Sequence, residues 1–374
     1  MENKTKLDML REEINEIDRE IVRLYEKRMD AAFGVGKYKK EHGMEVFVAE
    51  REKEVLKTRK SWVENPAYQM GAEELFECLM GISRSLQHET VPQEALPSGE
   101  PVENPTVAFS GVAGCYAEEA LKKYFGAETK SLAVDSFEEV FSALSSGQAD
   151  YGVVPVENTS TGAIDDVLDL LGTAGLYIVG QTVIEINHCL MGTPDAEISD
   201  IREVYSHPQG LSQSRDFLKT LENIKQIPYY NTAASAKFVK DEKDKSKAAV
   251  ASRHAAELYG LKILAEGINQ KDNNHTRFAV IGKQLEIAKE ANVVSIELTL
   301  KHESGALKRV LSQFAQAGLN LLHIESRPLA DKNFEYRFFI DFDGNLKHDG
   351  VQDALAKAKG DCLTLRVLGN YKGN

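Results

Sequence analysis

The sequence has 374 residues, of which 42% are apolar, enough for two or three domains with hydrophobic cores. Its 58 acidic and 45 basic residues give a formal net charge of −13, which argues against a nucleic-acid-binding protein. An anionic small molecule would therefore have to be held by a few cations gathered locally.

The cysteines give no sign of a disulfide or metal site. Cys78, Cys115, Cys189 and Cys362 stand singly, without a CxxC pair, which predicts a reducing, cytoplasmic environment. The N-terminus is charged from Glu2 onward, and no apolar run is long enough to span a membrane. We therefore expect neither secretion nor membrane insertion.

Residues 1–90 predict three helices, and the first of them is long. A heptad seam spaced alternately by three and four residues predicts a helix over residues 7–40, which at about 1.5 Å per residue spans about 50 Å. The seam consists of Leu7, Leu10, Ile14, Ile17, Ile21, Leu24, Arg28, Ala31, Val35 and Tyr38. Because a small domain cannot cover a helix of this length, we predict a homodimer. Further helices are expected from about residue 48 and over residues 67–86.

One position of the seam holds a charge. Arg28 points where apolar residues belong, and an unpaired buried charge costs several kcal/mol, so an anionic group should meet it. Arg11 and Lys39 flank the same groove. In the alternative interpretation, Arg28 forms an ion pair with a neighbouring glutamate and the other two cations are solvated. On the third helix Leu75 is expected to be buried, with Ser83 along the edge of the buried stripe.

Five groups of residues follow one another in this segment. They are Leu10-Arg11-Glu12 with Ile14 and Asp18, Lys27-Arg28, Val35-Gly36-Lys37-Tyr38-Lys39, Arg51-Glu52 and Ser83-Arg84-Ser85-Leu86-Gln87. In this order they resemble the all-helical chorismate mutases. The resemblance implies an all-α domain in which Arg28 and Arg51 of one protomer, with Arg11 of the partner subunit, hold the two carboxylates of chorismate.

The resemblance also implies the remaining roles. The reaction is an intramolecular rearrangement that needs a held conformer and charge stabilisation, but no nucleophile. Lys39 and Gln87 would stabilise charge on the breaking ether oxygen, and Glu52 would take the ring hydroxyl. Val48 stands where the family often has an acidic residue, so hydroxyl recognition would rest on Glu52 and Ser83.

Residues 91–104 predict a linker, because they contain three prolines and a glycine without an apolar period. Short apolar strands then alternate with amphipathic helices over residues 105–284, which is typical of parallel α/β layers. The apolar run 176–190 is long enough to cross between two lobes.

The polar run Glu157-Asn158-Thr159-Ser160-Thr161-Gly162 lies between a predicted strand and a predicted helix. It could grip an anionic ligand beside free helical N–H groups, or it could be an ordinary helix cap. Gly111 and Gly114, with Asp135 after the next strand, invite a dinucleotide-binding interpretation, but a glycine of the full fingerprint is missing.

A second resemblance covers nearly all of residues 105–284. It is carried by Gly111-x-x-Gly114-Cys-Tyr, 154–162, His207-Pro-Gln with Gln213, Asn231-Thr232-Ala233, 248–252 and Asn274-His275-Thr276-Arg277-Phe278. These motifs resemble prephenate dehydratase. The family fold is a two-lobed α/β domain, like that of periplasmic binding proteins, with the active cleft between the lobes.

The resemblance implies the dehydratase roles. Thr276 would assist departure of the prephenate hydroxyl through a positioned hydrogen bond. Asn158, Thr159 and Ser160 would hold substrate oxygens. Arg277 would bind a carboxylate, or would be a structural arginine next to core Phe278.

The first loop of this segment departs from the family pattern. Cys115 and Ala117 stand where family members commonly carry hydroxyl residues, which would leave backbone N–H groups to bind there. The scattered histidines His188, His207, His254 and His275 are interpreted as structural and as needing no metal.

The last segment predicts the order βαββαβ, an antiparallel sheet with two helices on one face. Its strands are expected at residues 293–300, 319–324, 336–342 and 363–367, and its helices at 306–317 and 351–358. Gly305-Ala306-Leu307 at a helix start and Glu325-Ser326-Arg327-Pro328 after the second strand resemble ACT modules of phenylalanine-regulated dehydratases. This implies an α+β ACT domain over residues 292–374 that binds L-phenylalanine between two subunits.

The three resemblances describe consecutive reactions with a feedback sensor. We therefore predict a multidomain enzyme that converts chorismate through prephenate to phenylpyruvate without a cofactor, as a homodimer or a tetramer. One alternative is a mutase fused to an NAD-dependent prephenate dehydrogenase, which the incomplete glycine fingerprint disfavours. Another is an amino-acid-responsive binding protein without catalysis, for which Cys115 and Ala117 are the hint.

Overall fold

The computed structural model describes residues 5–44, 49–88, 98–271, 273–329 and 335–373. The chain divides into two compact units. The first comprises Met1–Ala95, Lys301–Gly318 and Asp349–Leu363, and the second comprises Leu96–Leu300, Leu319–His348 and Thr364–Asn374.

The N-terminal part of the first unit is helical, as predicted. Its helices are α1 (Lys6–Glu41), α2 (Ala49–Ser61) and α3 (Gln69–His88). A single 3₁₀ turn, Pro66–Tyr68, precedes α3, and the Asn65 side chain caps this turn by accepting a hydrogen bond from the backbone N–H of Ala67. Proline at the first position of the turn loses no hydrogen bond, because its N–H would have been free there.

Most of the heptad seam of α1 lies on the surface of the single chain. Ile17 and Ile21 are each 53% exposed, and Leu7, Leu10, Ile14 and Leu24 are exposed to a similar degree. The packed face of α3 is centred on Met80 and Ser83. The prediction that Leu75 is buried was wrong, since it is 54% exposed; α1 contacts α3 through Arg28 and Met29, whose partners lie one to two turns further along α3.

The second unit begins with alternating strands and helices. The first group is β1 (Thr106–Ser110), α4 (Tyr116–Phe125), β2 (Lys130–Val134), α5 (Phe137–Ser146), β3 (Tyr151–Asn158), β4 (Gly162–Ala163), α6 (Asp165–Thr173) and β5 (Tyr177–Glu185). The second group is β6 (His188–Gly192), β7 (Glu203–Ser206), α7 (Pro208–Gln213), α8 (Arg215–Leu218), β8 (Lys225–Pro228), α9 (Thr232–Glu242), β9 (Lys247–Ser252), α10 (Arg253–Tyr259) and β10 (Lys262–Ala265). Strand β11 (His275–Gly282) follows.

These elements form two lobes, each around its own sheet. The first sheet has the order β2-β1-β3-β11-β5 and the second has the order β10-β6-β9-β7-β8. The chain crosses between the lobes after β5 and returns before β11, which confirms the predicted crossing in residues 176–190. The sheets are mixed and not purely parallel, because β11 runs antiparallel to both β3 and β5, and β6 runs antiparallel to β9 and β10.

The first sheet is covered on both faces. Val153 and Phe278 belong to a core cluster that includes residues of α4 and of the second lobe. Val154 and Ala279, one residue further along each strand, belong to a cluster on the other face. Alternate residues of a strand point to opposite faces of the sheet. The side chains of β11 therefore alternate between the two core clusters.

The C-terminal segment has the predicted element order. It consists of β12 (Val293–Thr299), α11 (Ala306–Gln316), β13 (Leu321–Pro328), β14 (Tyr336–Asp343), α12 (Asp349–Gly360) and β15 (Thr364–Tyr371). Its strands form an antiparallel sheet in the order β13-β14-β12-β15. The helices α11 and α12 belong to the first unit, where Gln313 Nε2 donates to Asp361 Oδ2 at 3.1 Å.

This sheet continues into the first lobe through β15 and β5. The bridge joins Gly369 and Ile178. A side chain at Gly369 is excluded, because an added Cβ would lie 2.0 Å from the carbonyl oxygen of Ile178. Among the described residues, no helix is long and apolar enough to cross a membrane.

Candidate active sites

The helical segment positions Arg28 against α3. Arg28 Nη1 donates to the carbonyl oxygen of Leu79 at 2.9 Å and to Ser83 Oγ at 2.7 Å. Ser83 Oγ in turn donates to the same carbonyl at 2.7 Å. Among the described side chains, which do not include that of Glu52, no carboxylate lies within ion-pair distance of Arg28, and the alternative of an Arg28–glutamate pair stays a prediction. Of the described residues, only neutral groups accept hydrogen bonds from this half-buried guanidinium.

The electrostatic surroundings of Arg28 favour an anion. Burial and the neighbouring cation of Arg59 both lower the pKa of Arg28. Arg59 itself stacks on the Trp62 ring, 4.1 Å from its centroid. Sequence reasoning missed Arg59, although it lies seven residues after Glu52 and therefore on the same helical face. Two cations near one half-buried position would be stabilised by an incoming carboxylate.

The other predicted mutase residues are dispersed within one chain. Arg11 and Arg51 are exposed, and Arg51 pairs with Glu54 at 2.7 Å. Lys39 is half-buried. The side chains of Glu52 and Gln87 lie outside the described residues.

Val48 also lies outside the described residues. Arg11 precedes Arg28 by 17 positions on α1, which at 1.5 Å per residue corresponds to roughly 25 Å. One chain therefore cannot bring both arginines to one small substrate.

In the two-lobed unit, Asn158 organises the polar run that the sequence singled out. Its side chain is 4% exposed, and Nδ2 donates to Thr276 Oγ1 at 2.9 Å, Asn274 Oδ1 at 2.9 Å and the His275 carbonyl at 3.1 Å. Its Oδ1 accepts from the backbone N–H of Ser160 at 2.9 Å and of Thr161 at 3.2 Å. A single buried amide thus fixes the turn and orients Thr276.

The hydroxyl of Thr276 is positioned so that it can donate a hydrogen bond. Thr276 is 7% exposed, and its Oγ1 accepts from Asn158. Among the described residues no acceptor takes the Thr276 hydroxyl hydrogen, which can therefore be given to a substrate oxygen.

The side chains of Thr159 and Ser160 form hydrogen bonds to other residues of the protein. Thr159 Oγ1 accepts from the His275 N–H at 2.9 Å and donates to the Asn273 carbonyl at 3.0 Å, so both functions of this hydroxyl are occupied. Ser160 Oγ donates to Asn274 Oδ1 at 3.4 Å. Asn274, which the sequence placed in a motif without a role, therefore joins the run to the strand that carries Thr276.

The helix-cap interpretation of the polar run was wrong. Helix α6 begins at Asp165, and its N-cap is Ile164, which makes no side-chain capping bond. The run instead closes a turn between β3 and β4, where the N–H groups of Ser160 and Thr161 are already used by Asn158. The polar run therefore does not lie in the first turn of α6, and the N–H groups of Ser160 and Thr161 bind within the turn.

The glycine loop before α4 also uses its N–H groups internally. Gly111 N–H donates to the Val134 carbonyl at 2.8 Å, and Gly114 N–H donates to Glu118 Oε2 at 2.6 Å. Burial raises the pKa of the Cys115 thiol to about 11, which keeps it neutral. The expectation that backbone N–H groups of this loop bind substrate is therefore not met at Gly111 and Gly114.

The second lobe reaches the polar run from the opposite side. Gln209 Nε2, in the first turn of α7, donates to Thr161 Oγ1 at 3.3 Å. The His207 side chain accepts from the Gln209 N–H and so caps α7. The cleft between the lobes is thus bounded by the turn of residues 158–162 and the start of α7.

His188 is a buried, neutral imidazole at the crossing into the second lobe. Its Nδ1 lies 3.1 Å from the Tyr116 hydroxyl, and its Nε2 lies 3.0 Å from Gln213 Oε1. Burial lowers the pKa of His188 despite the contact with Gln213. This geometry agrees with the structural role expected from the sequence. In the described ranges no group of three or more His, Cys, Asp or Glu side chains could hold a metal ion.

Arg277 lies on the opposite face of β11 from Thr276. Its Nη2 donates to Glu157 Oε2 at 2.6 Å, and its Nη1 donates to Asp341 Oδ2 at 3.1 Å. Burial disfavours the charge, but the carboxylates of Asp341 and Glu157 outweigh it and raise the pKa of Arg277. Two protein carboxylates therefore hold Arg277, which fits the alternative of a structural arginine better than that of a substrate-binding one.

The two predicted effector motifs lie in different units of the chain. Gly305 has φ +79°, a left-handed conformation that favours glycine, and is the N-cap of α11, which starts at Ala306 before half-buried Leu307. The prediction that Glu325, Ser326, Arg327 and Pro328 follow a strand was wrong. They form the second half of β13, because pairing with β14 continues to Pro328.

Arg327 has two carboxylate partners on α6 of the same unit. Its guanidinium lies 2.5 Å from Asp165 Oδ2 and 2.8 Å from Asp169 Oδ2. Both aspartates belong to the helix that follows the polar run.

Comparisons with known proteins match two segments of the chain. A sequence model described as chorismate mutase type II matches residues 10–88, and one described as prephenate dehydratase matches residues 107–286. A bifunctional chorismate mutase/prephenate dehydratase of Neisseria gonorrhoeae is 31% identical over 362 residues, covering 96% of this chain and 95% of that protein. The bifunctional protein of Aquifex aeolicus is 33% identical over 375 residues, covering 98% and 97%.

A solved structure resembles a large part of the chain. The prephenate dehydratase of Arthrobacter aurescens in complex with L-Phe has 30% sequence identity and a TM-score of 0.66. The match covers 72% of this chain and 90% of that protein.

Proposed function

Because this chain belongs to the family of bifunctional chorismate mutase/prephenate dehydratases and is an enzyme with both activities, we propose how its residues divide the two reactions. The helical segment rearranges chorismate to prephenate. The two-lobed segment converts prephenate to phenylpyruvate, carbon dioxide and water. In the proposed division the domains span residues 1–90, 105–284 and 292–374, with residues 91–104 as the linker.

In the mutase site, Arg28 is the proposed anchor for one substrate carboxylate. What supports this is a half-buried guanidinium whose contacts are neutral and whose neighbour Arg59 is also a cation. Chorismate would supply the missing negative charge, and the site would hold the reactive conformer. Arg51 would bind the second carboxylate.

The remaining mutase roles follow from the family. Lys39 and Gln87 would stabilise charge on the breaking ether oxygen. Glu52 and Ser83 would take the ring hydroxyl.

A homodimer is the proposed state of the mutase. The exposed seam of α1 supports it, because exposed apolar side chains along several turns of one helix are typical of a helix-pairing surface. The distance of roughly 25 Å between Arg11 and Arg28 along α1 supports it as well. Arg11 of the partner subunit would complete each site.

In the dehydratase site, Thr276 is the proposed donor to the departing hydroxyl. The supporting observation is the hydrogen bond from buried Asn158 to Thr276 Oγ1, which leaves the hydroxyl hydrogen for the substrate. As the ring carboxylate leaves as carbon dioxide, the electron pair of its C–C bond enters the ring, the C–O bond breaks, and the departing hydroxyl takes one proton from solvent and leaves as water. A neutral threonine is a weak acid, so its contribution is a hydrogen bond that strengthens in the transition state.

The C-terminal segment is the proposed ACT module, with L-phenylalanine as its effector. Its βαββαβ order supports this assignment, together with the motifs Gly305–Leu307 and Glu325–Pro328 and the L-Phe complex of the Arthrobacter aurescens protein. Phenylalanine would inhibit by binding a less active state more tightly.

The experiment that tests this division supplies chorismate or prephenate to the full chain without any nucleotide. Prephenate and phenylpyruvate are followed by their ultraviolet absorbance, with and without phenylalanine. Arg28→Ala should abolish the first step and spare the second, and Thr276→Ala should do the reverse. Equal loss of both activities in either variant would contradict separate sites.

A further inference from the structure

The face of β11 that turns away from the cleft carries Arg277. In register, Thr276 pairs with Asn158 and Arg277 pairs with Glu157 across β3 and β11. The first pair forms the catalytic contact proposed above, and the second is an ion pair on the other face of the same two strands. Whatever fixes Arg277 therefore also fixes the backbone that carries Thr276.

A residue outside the dehydratase domain fixes Arg277. Asp341 of β14 accepts from Arg277 Nη1 at 3.1 Å through Oδ2. Its Oδ1 accepts from Ser295 Oγ at 2.5 Å, and Ser295 Oγ lies 2.8 Å from the Tyr371 hydroxyl. The guanidinium thus joins two strands of the first lobe to three strands of the C-terminal sheet.

This contact is shielded from solvent. The side chains of Arg277 and Asp341 are 22% and 14% exposed, whereas those of the surface pairs Arg23–Glu20 and Arg51–Glu54 are at least half exposed. A cavity of about 40 Å³ adjoins the pair and is lined by Ser295, His323 and Tyr371, among others. Since a few tens of Å³ can hold a water molecule, the guanidinium has room to shift there if its partner is lost.

From this geometry we propose that Asp341 is a positioning residue for the dehydratase reaction: it holds Arg277, and through β11 it aims the Thr276 hydroxyl at the substrate. The inference rests on the proposed role of Thr276. Asp341 is proposed to contact no reacting atom. Its loss should therefore lower kcat and leave the binding of prephenate nearly unchanged. A misplacement of about 1 Å at a catalytic group is enough to slow turnover about a hundredfold.

The test uses Asp341→Asn in the full chain, because asparagine keeps the shape and the hydrogen bond from Ser295 but removes the charge. We expect kcat for phenylpyruvate formation to fall about 10- to 100-fold, with the KM for prephenate changed less than about threefold. Mutase turnover should stay normal. Asp341→Glu keeps the charge and should restore part of the turnover.

A matched control lies at the same junction, which is the contact between the first lobe and the C-terminal sheet. Arg366 of β15 donates to Glu297 at 2.9 Å and to the carbonyls of Leu171 and Leu176 at 2.6 and 3.3 Å. It therefore links the C-terminal sheet to α6 and to the residue before β5, and none of these contacts involves β11. Arg366→Gln should lower the thermal unfolding midpoint at least as much as Asp341→Asn, while dehydratase kcat stays within about twofold of the parent.

Three outcomes would overturn the inference. One is unchanged kcat in Asp341→Asn. Another is an equal loss of kcat in Arg366→Gln, which would indicate general destabilisation. The third is a raised KM with unchanged kcat in Asp341→Asn, which would indicate that Arg277 binds the substrate.

Thr276→Ala separates this inference from the proposed function. If Thr276→Ala retains turnover, the proposed catalytic role itself fails. If Thr276→Ala loses turnover and Asp341→Asn does not, only the positioning role of Asp341 fails.

Discussion

Replacing Thr276 by valine isolates its hydroxyl, because valine has nearly the same shape and fits the same buried position. The variant loses one hydrogen bond, from Asn158 Nδ2 at 2.9 Å, while that amide keeps its contacts to Asn274 and to the His275 carbonyl. The stability cost should therefore be about 1 kcal/mol. For a domain of this size that corresponds to about 2–4 °C in the unfolding midpoint.

The catalytic cost of the same change should be larger. Losing a hydrogen bond that forms to the departing hydroxyl should lower kcat about 10²- to 10³-fold, or about 2.7–4 kcal/mol in the activation free energy. Stopped-flow or steady-state phenylpyruvate absorbance measures kcat, and thermal unfolding measures stability. Thr276→Ser, which keeps the hydroxyl, should stay within about tenfold of the parent. A valine variant with nearly normal turnover would refute the assignment.

Three further predictions concern other parts of the chain. Mixed Arg11→Ala and Arg28→Ala subunits, each inactive as a mutase alone, should regain about a quarter of the parent activity after exchange, since half of the dimers are mixed and each has one intact site; no recovery would exclude a site shared between subunits. Burial lowers the folded-state pKa of His188 below its ordinary value of 6.5. The unfolded chain then binds more protons below that pH, so stability should fall as the pH drops below about 6.5; the pH slope of the unfolding midpoint should be smaller in His188→Asn, and an unchanged slope would contradict this. Arg327→Ala should raise the phenylalanine concentration needed for half-inhibition severalfold, with Arg366→Ala as the comparison; equal shifts in both would indicate a general effect of the junction.

Local periodicity determined much of the fold. The heptad spacing from Leu7 to Tyr38 requires one long helix, and α1 runs from Lys6 to Glu41. The alternation of short apolar strands with amphipathic helices indicated the α/β lobes, and the run 176–190 indicated the crossing between them. These features depend on residues within a few positions of one another, where sequence spacing and spatial spacing coincide.

The candidate sites were only partly accessible to such reasoning. Arg28 was recognisable because a cation in an apolar seam conflicts with its surroundings. The sequence analysis missed Arg59, Asn274 and Asp341. The residues next to a polar side chain in sequence do not indicate which distant residue it will contact in the folded protein.

Arg277 shows where the limit lies. Strand alternation alone places Thr276 and Arg277 on opposite faces of β11, so the sequence by itself could have determined that they do not share a ligand. Only the tertiary structure decided which residue packs against the Arg277 face of β11. Asp341 lies 64 positions away in sequence, and the strand order of the C-terminal sheet brings it to Arg277. Spacing within a strand fixes the direction of a side chain, and the packing of distant strands fixes its partner.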